Sequence, residues 1–214
     1  MLSLWHKIQK RITLDFWIGR YLLLKEKQQG VDFSEVVELE ELGLDPKLAS
    51  HSAPSGNKYL RNMLNQLAIN DGDAIIDVGS GKGSAMRIMM EFPFRRVDGV
   101  ELSPQVAGIA QGNFKKTQIP RGRYEVFVMD ATDFKEFAGY NYFYFYNPFS
   151  RNIMEKVIEN IVASIAQLPR NVFIIYNNPK YSSVILSTGI FYKTSEYPDE
   201  WGNKIFLYSN QAPA

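Results

Sequence analysis

Cysteine is absent from the 214 residues of this chain. Its absence excludes disulfide frameworks, iron–sulfur clusters, cysteine-ligated zinc and every mechanism that uses a thiolate nucleophile. Histidine is nearly absent as well, with only His6 and His51 in the sequence. Their separation does not match a helical His-x-x-x-His pair, which argues against a dedicated transition-metal site.

An excess of either charge and a long apolar run are also missing. The chain has 24 Lys and Arg against 23 Asp and Glu, a net charge of +1, which argues against a global field that attracts nucleic acid. Asp15 and Arg20 interrupt the apolar stretch 12–24, and residues 140–149 are too few for a membrane-spanning helix of ~20 residues. Residues 1–30 lack the features of a signal peptide. We therefore expect no transmembrane segment and a cytoplasmic location.

Length and composition, with 45% apolar residues, fit one globular domain with an extension. Residues 1–29 carry six basic and two acidic side chains, and a helical spacing relates Trp5, Ile8, Ile12 and Phe16. An acidic stretch follows. We predict a helical N-terminal extension over 1–50 and a main domain over 51–214. The extension either packs on the main domain, the interpretation we favour, or makes peripheral contact with an anionic membrane through residues 1–29.

From residue 57 onward, short apolar runs alternate with helical segments, which is typical of a parallel sheet with crossover helices. The predicted strands are 74–79, 96–102, 124–130, 142–147, 172–177, 190–197 and 204–208. The predicted helices are 84–91, 104–116, 151–167 and 180–186, with a short turn near residue 134. Because only residues 198–203 separate the last two strands, we expect these to form an antiparallel hairpin.

A glycine-rich loop, Asp77-Val78-Gly79-Ser80-Gly81-Lys82-Gly83, directly follows the first strand and opens a helix. In doubly wound sheets this is where nucleotide-like ligands bind. Glu101 ends the second strand, where an acid accepts the hydroxyls of a ribose. Asp130 ends the third strand and is followed by Ala131, a pair placed to accept from an adenine amino group and donate to its ring.

The three acids at the strand ends distinguish between two kinds of ligand. A dinucleotide carries a diphosphate and fits a Gly-x-Gly-x-x-Gly loop, whereas here the sixth place is Ser84. S-adenosylmethionine carries an ammonium and a sulfonium and no phosphate, so the charge of Asp77 attracts it. We therefore predict S-adenosylmethionine as the cofactor and rank a nicotinamide cofactor low.

These residues resemble the class I S-adenosylmethionine-dependent methyltransferases over roughly 59–208, and the whole chain resembles a bacterial group of them. The resemblance rests on the glycine loop, Glu101, the Asp130-Ala131 pair and the terminal hairpin. It implies an α/β fold with a Rossmann-like, seven-stranded, doubly wound sheet of order 3-2-1-4-5-7-6, the last strand antiparallel. It also implies cofactor binding by the following residues: Asp77, Gly79, Ser80, Gly81, Gly83, Glu101, Leu102, Asp130, Ala131 and Asn147.

The methyl acceptor is expected near Asn147-Pro148-Phe149, which ends the fourth strand. This segment is similar to the Asp/Asn-Pro-Pro-aromatic element of amino methyltransferases but has one proline, followed by Ser150. The alternative is a turn in which Asn147 and Ser150 cap the next helix. An Asn-Pro pair also follows the fifth strand, and His51 is a candidate base or lid residue.

The predicted activity is methyl transfer to an unidentified nitrogen or oxygen nucleophile. The balanced charge favours a small-molecule or protein acceptor over nucleic acid. A non-catalytic S-adenosylmethionine-binding module is the alternative, because the motifs predict a cofactor pocket and not turnover.

Overall fold

Short apolar runs of the sequence form one mixed sheet, and helices cover both of its faces in the computed structural model, which describes residues 14–36 and 54–212. The helices are α1 (Leu14–Gln29), α2 (Lys58–Leu64), α3 (Ser84–Met89), α4 (Pro104–Lys116), α5 (Arg151–Gln167) and α6 (Ser182–Leu186). The strands are β1 (Ala74–Val78), β2 (Arg96–Glu101), β3 (Val126–Val128), β4 (Tyr142–Tyr146), β5 (Phe173–Asn177), β6 (Tyr192–Pro198) and β7 (Lys204–Ser209).

The strand order is β3-β2-β1-β4-β5-β7-β6. The first five strands in this order pair in parallel, and β7 pairs antiparallel with both β5 and β6. This confirms the predicted order and the antiparallel last strand. The β1 and β4 strands are neighbours although the connections leave them in opposite directions, so the carboxyl end of this pair is the switch point where ligands bind in such sheets.

The central strands are apolar on both faces because helices cover both sides. All five residues of β1 are buried. In β4, Tyr142 and Tyr144 pack into one layer of the core, and Phe143 and Phe145 pack into the other. The alternation of a single aromatic strand thus contributes to both halves of the core.

The helices α4 and α5 have the predicted bounds, whereas β3 is shorter than predicted. At its start, the backbone N–H of Glu125 donates to the Asp98 carboxylate at 2.6 Å. At its end, Asp130 Oδ1 accepts the backbone N–H of Thr132 at 2.8 Å. Side-chain hydrogen bonds therefore flank the paired part of this strand, whose backbone bonds to the neighbouring strand end at Glu125 and Met129.

The chain after α1 packs into the main core. Gly30 adopts φ 65°, a left-handed conformation that suits a helix end. Val31 and Phe33 are buried, and the Phe33 ring lies 5.9 Å from that of Phe114. Part of the predicted extension therefore belongs to the core. Several predictions concern parts of the chain outside the described residues: the boundary at residue 50, His6, His51, Trp5, Ile8, Ile12 and the Phe16 side chain. They remain predictions.

Gly83 combines a left-handed backbone with close packing. Its φ is 80°, and a Cβ atom there would lie 2.4 Å from Cζ of Phe114. We predict that Gly83→Ala lowers the free energy of unfolding by at least about 2 kcal/mol, since it adds backbone strain and overpacking. Urea denaturation measures the change.

Gly108 provides the matched control, because it lies within α4 and a Cβ atom there meets nothing within 4 Å. Gly108→Ala should raise the free energy of unfolding by about 0.5–1 kcal/mol. Equal effects of the two substitutions would contradict the packing assigned to Gly83.

Candidate cofactor and acceptor site

The glycine loop leaves β1 with three left-handed glycines, Gly79 at φ 90°, Gly81 at φ 54° and Gly83 at φ 80°. A Cβ atom at Gly79 would lie 2.5 Å from Cβ of Pro148. Glycine is thus required at Gly79 for the turn and for the close approach of the β4 loop. The predicted cofactor loop and the predicted acceptor segment are in contact.

Most backbone N–H groups of this loop already have partners inside the protein. Those of Gly79 and Ser80 both donate to the Val100 carbonyl, at 2.9 and 3.0 Å. The N–H of Gly81 donates to Glu101 Oε2 at 2.9 Å, and that of Gly83 to the Ser80 carbonyl at 3.0 Å. A loop that binds diphosphate needs such donors for the ligand. This loop uses them to hold its own shape.

Two carboxylates lie near each other at the ends of β1 and β2. Asp77 is 3% exposed, and burial together with the charge of Glu101 raises its pKa well above the ordinary value. In the described ranges no cation or hydrogen-bond donor offsets this cost. Burial raises the pKa of Glu101 too, although the N–H groups of Ser103 and Gly81 bind its carboxylate and act in the opposite direction. The pair forms a region of negative potential that a cationic ligand would stabilise.

Asp130 and Ala131 follow β3 at the same edge of the sheet. Oδ1 of Asp130 accepts both the backbone N–H and the hydroxyl of Thr132 at 2.8 Å. The Asp130 side chain is half-buried and Ala131 is buried. The geometry therefore gives this acid a role in the turn, and its contact with an adenine stays a prediction, as does the contact predicted for the half-buried Leu102.

The segment after β4 keeps its asparagine in an unusual conformation. Asn147 has φ 42°, which asparagine tolerates better than most residues. Its Oδ1 accepts the hydroxyl of Tyr176 at 3.4 Å. Ser150 stands at the N-cap of α5, but its side chain makes no capping hydrogen bond, so the capping interpretation of this turn is wrong for Ser150. Asn147, Pro148 and Phe149 are all half-buried beside the glycine loop.

The end of β5 adds a buried asparagine, Asn177, directly before the Asn-Pro pair seen in the sequence. Asn177 is fully buried, and its Oδ1 has no hydrogen-bond partner among the described residues. Its Nδ2 donates to the Tyr144 hydroxyl at 3.4 Å. Asn177 pairs with Tyr146 across the β4–β5 ladder, so the two Asn-Pro turns do lie side by side. The Asn-Pro repetition in the sequence was the available signal.

Residues just before α2 cover this edge of the sheet. Ser55 is buried and hydrogen-bonds with the Tyr144 hydroxyl. The N–H of Gly56 donates to Ser84 Oγ at 3.2 Å, and Nδ2 of Asn57 donates to the buried Asp199 at 2.8 Å. The segment 54–57 thus connects the start of α3 to the β6–β7 hairpin. No local pattern reveals it, because the partners lie 28 and 142 residues away.

An ion pair braces the glycine loop from its outer side. The side chain of Lys82, only 4% exposed, pairs with Asp32. Asn113 connects the same two residues, since its Nδ2 donates to the Asp32 carbonyl at 2.7 Å and to the Lys82 carbonyl at 3.2 Å. Sequence reasoning missed this lysine because its partner lies 50 residues away. The loop lysine therefore has a structural role, and its charge is compensated inside the protein.

Comparison with solved structures shows the fold of known methyltransferases. An RNA methyltransferase from Salinibacter ruber, in complex with S-adenosyl-L-homocysteine, has a TM-score of 0.55 and 15% identity, covering 75% of this chain and 97% of that one. Mitomycin 7-O-methyltransferase MmcR has a TM-score of 0.54 and 14% identity, covering 72% of this chain. This chain matches 53% of MmcR, about half its length.

The chain therefore has the class I methyltransferase fold, which confirms the resemblance seen in the sequence at the level of fold. No family model matches the sequence, and no curated protein sequence matches it. No helix in the described part of the chain is long and apolar enough to cross a membrane.

Because the folded pKa of Asp77 is raised, ionised Asp77 destabilises the fold. Protonated Asp77 carries no such cost, so the free energy of unfolding is highest at acidic pH and falls as the pH rises toward the raised pKa of Asp77. We predict that Asp77→Asn, which cannot ionise, raises the melting temperature by several degrees at neutral pH. The difference between variant and wild type should shrink toward acidic pH.

Asp133→Asn is the matched control, because Asp133 is exposed in the loop that follows β3. Its melting temperature should equal that of the wild type. A lower melting temperature for Asp77→Asn at neutral pH would contradict an uncompensated buried charge at residue 77.

Proposed function

We propose that this chain is an S-adenosylmethionine-dependent methyltransferase that acts on a nitrogen or oxygen nucleophile. The observation that carries the proposal is the pair of carboxylates beside the glycine loop, the buried Asp77 and the half-buried Glu101. Among the residues that the structure describes no cation compensates Asp77, and such a buried acid suits a ligand that brings positive charge. S-adenosylmethionine brings both an ammonium and a sulfonium.

The same features disfavour a nicotinamide dinucleotide. Its diphosphate would meet the charge of Asp77, and the N–H groups of Gly79, Ser80 and Gly81 are already bonded within the protein. A phosphate at a glycine loop depends on free N–H donors. The arrangement thus supports a cationic cofactor over an anionic one.

We assign the cofactor contacts to the ends of three strands. Asp77 would bind the amino-acid end, Glu101 the ribose hydroxyls, and Asp130 with Ala131 the adenine. The remaining proposed contacts are those predicted from the sequence: Gly79, Ser80, Gly81, Gly83, Leu102 and Asn147. For Gly83 the packing on Phe114 already explains the glycine, so its proposed contact is limited to the backbone.

S-adenosylmethionine, when bound, supplies a methyl group that is already activated by its sulfonium. The protein then has to align the acceptor and exclude water. Asn147 fits this task, since its Oδ1 accepts one hydrogen bond from the Tyr176 hydroxyl and has a second lone pair that can accept a hydrogen bond from the nucleophile next to the glycine loop. Phe149 offers a ring against which a flat acceptor can pack, and Pro148 fixes the turn in contact with Gly79.

RNA belongs among the acceptors to be tested. The balanced net charge of +1 ranked nucleic acid below small molecules and proteins. The likeness to an RNA methyltransferase over 97% of that chain does not support this ranking, while the likeness to a mitomycin O-methyltransferase keeps small molecules in view. The fold leaves the acceptor class open.

A transfer assay with methyl-labelled S-adenosylmethionine tests the proposal on the RNA, protein and small-molecule fractions of a cell extract. The informative variant is Asn147→Gly, because glycine keeps the backbone at φ 42° and removes only the side chain. We expect transfer to fall about a hundredfold and cofactor affinity to fall much less, because Asn147 is one of many proposed cofactor contacts but the main proposed contact to the acceptor.

Gln118→Gly is the matched control, since Gln118 also has a positive φ, 58°, but is exposed at the end of α4. It should transfer at the wild-type rate. Cofactor binding without transfer to any fraction would indicate the non-catalytic module instead. Normal transfer by Asn147→Gly would remove Asn147 from the acceptor site.

A further inference from the structure

One side of α1 faces the domain. Glu26 is 5% exposed, and its carboxylate accepts the backbone N–H groups of Phe33 and Ser34 at 3.2 and 3.1 Å and the Ser34 hydroxyl at 2.8 Å. Arg87 of α3 lies 3.7 Å from the same carboxylate. These contacts fix which side of the helix points inward.

The opposite side of α1 is apolar and exposed. Trp17, Tyr21 and Leu24 are 60%, 64% and 58% exposed, and their spacing places them on one stripe of the helix. At about 100° per residue this stripe lies roughly opposite Glu26. Four of the nine large exposed apolar side chains in the described ranges belong to α1, Leu23 being the fourth. Such a concentration on one short element marks an interaction surface.

Basic residues border this stripe. Arg20 and Lys27 lie on one side of it and Lys25 on the other, and all three are exposed. Residues 1–29 contain six basic side chains and two acidic ones, and one of these acids, Glu26, is turned inward. Within α1 the basic residues are Arg20, Lys25 and Lys27 and the acids are Asp15 and Glu26, so with Glu26 facing the domain the outward side of the helix carries more basic than acidic side chains.

We propose that α1 is a membrane-surface helix that binds an anionic lipid bilayer, with its apolar stripe at the level of the headgroups and its basic residues on the lipid phosphates. Exposed apolar side chains bordered by lysine and arginine can enter the headgroup region of a bilayer and pair with anionic lipid phosphates. A nucleic acid would use the basic residues but would leave the apolar stripe of Trp17, Tyr21 and Leu24 in water. This inference does not depend on the proposed methyl transfer.

Co-sedimentation of the full chain with vesicles tests the proposal. The protein should bind vesicles of mixed phosphatidylcholine and phosphatidylglycerol and bind pure phosphatidylcholine much more weakly, and added salt should release it. The double variant Tyr21→Ser with Leu24→Ser should lose about tenfold or more in partitioning. Arg20→Gln with Lys27→Gln should lose a similar factor on anionic vesicles only.

Exposed residues elsewhere provide matched controls. Leu168→Ser with Leu186→Ser removes two exposed leucines, and Lys115→Gln with Lys156→Gln removes two exposed lysines. Both should bind as the wild type does.

All variants should keep the wild-type melting temperature, because the altered side chains are exposed. Equal losses in the control variants would overturn the proposal. So would binding to RNA without binding to vesicles, or an apolar double variant that only dissociates a dimer.

Discussion

The arrangement of the site depends on two carboxylates placed near each other at the ends of adjacent parallel strands. Register fixes them there, since β1 and β2 pair from Ala74–Arg96 to Val78–Val100. Burial makes the charge of Asp77 costly, and the neighbouring charge of Glu101 adds to that cost. The sheet core supports this unfavourable pair, and a cationic ligand would relieve it. The proposed function is one reason for a fold to keep such a pair.

Three contacts hold the glycine loop in place. Glu101 binds the loop through Gly81, the pair of Lys82 with Asp32 holds it from outside, and the approach of Pro148 limits it from the β4 side. Residues before β1 contribute both the brace at Asp32 and the cover at 54–57. The proposed lipid-binding helix joins this framework directly, because Glu26 contacts Arg87 only five residues beyond Lys82.

Local patterns in the sequence predicted most of the fold. The bounds of α4 follow from Ser103 at its N-cap and Pro104 in its first turn, and the switch-point acids follow from strand ends. The shortened β3 was not predictable, because Asp98 captures the Glu125 N–H from another strand. Neither was the pairing of Lys82 with Asp32 or of Asn57 with Asp199, since charge and amide partners 50 and 142 residues apart leave no periodic signal. The glycine at position 83 was visible in the sequence, but its packing against the ring of Phe114 was not predictable from it.

The central claim is that the carboxylate pair binds a cationic cofactor, and calorimetric titration with S-adenosylmethionine at mildly acidic pH tests it most directly. Since the pKa values of Asp77 and Glu101 are raised, a cation that favours their ionised forms should release protons on binding. The measured enthalpy should therefore differ between buffers of high and low ionisation enthalpy, and affinity should fall as pH falls. A nicotinamide dinucleotide should not bind. Buffer-independent enthalpy, or tighter binding of the dinucleotide, would contradict the account.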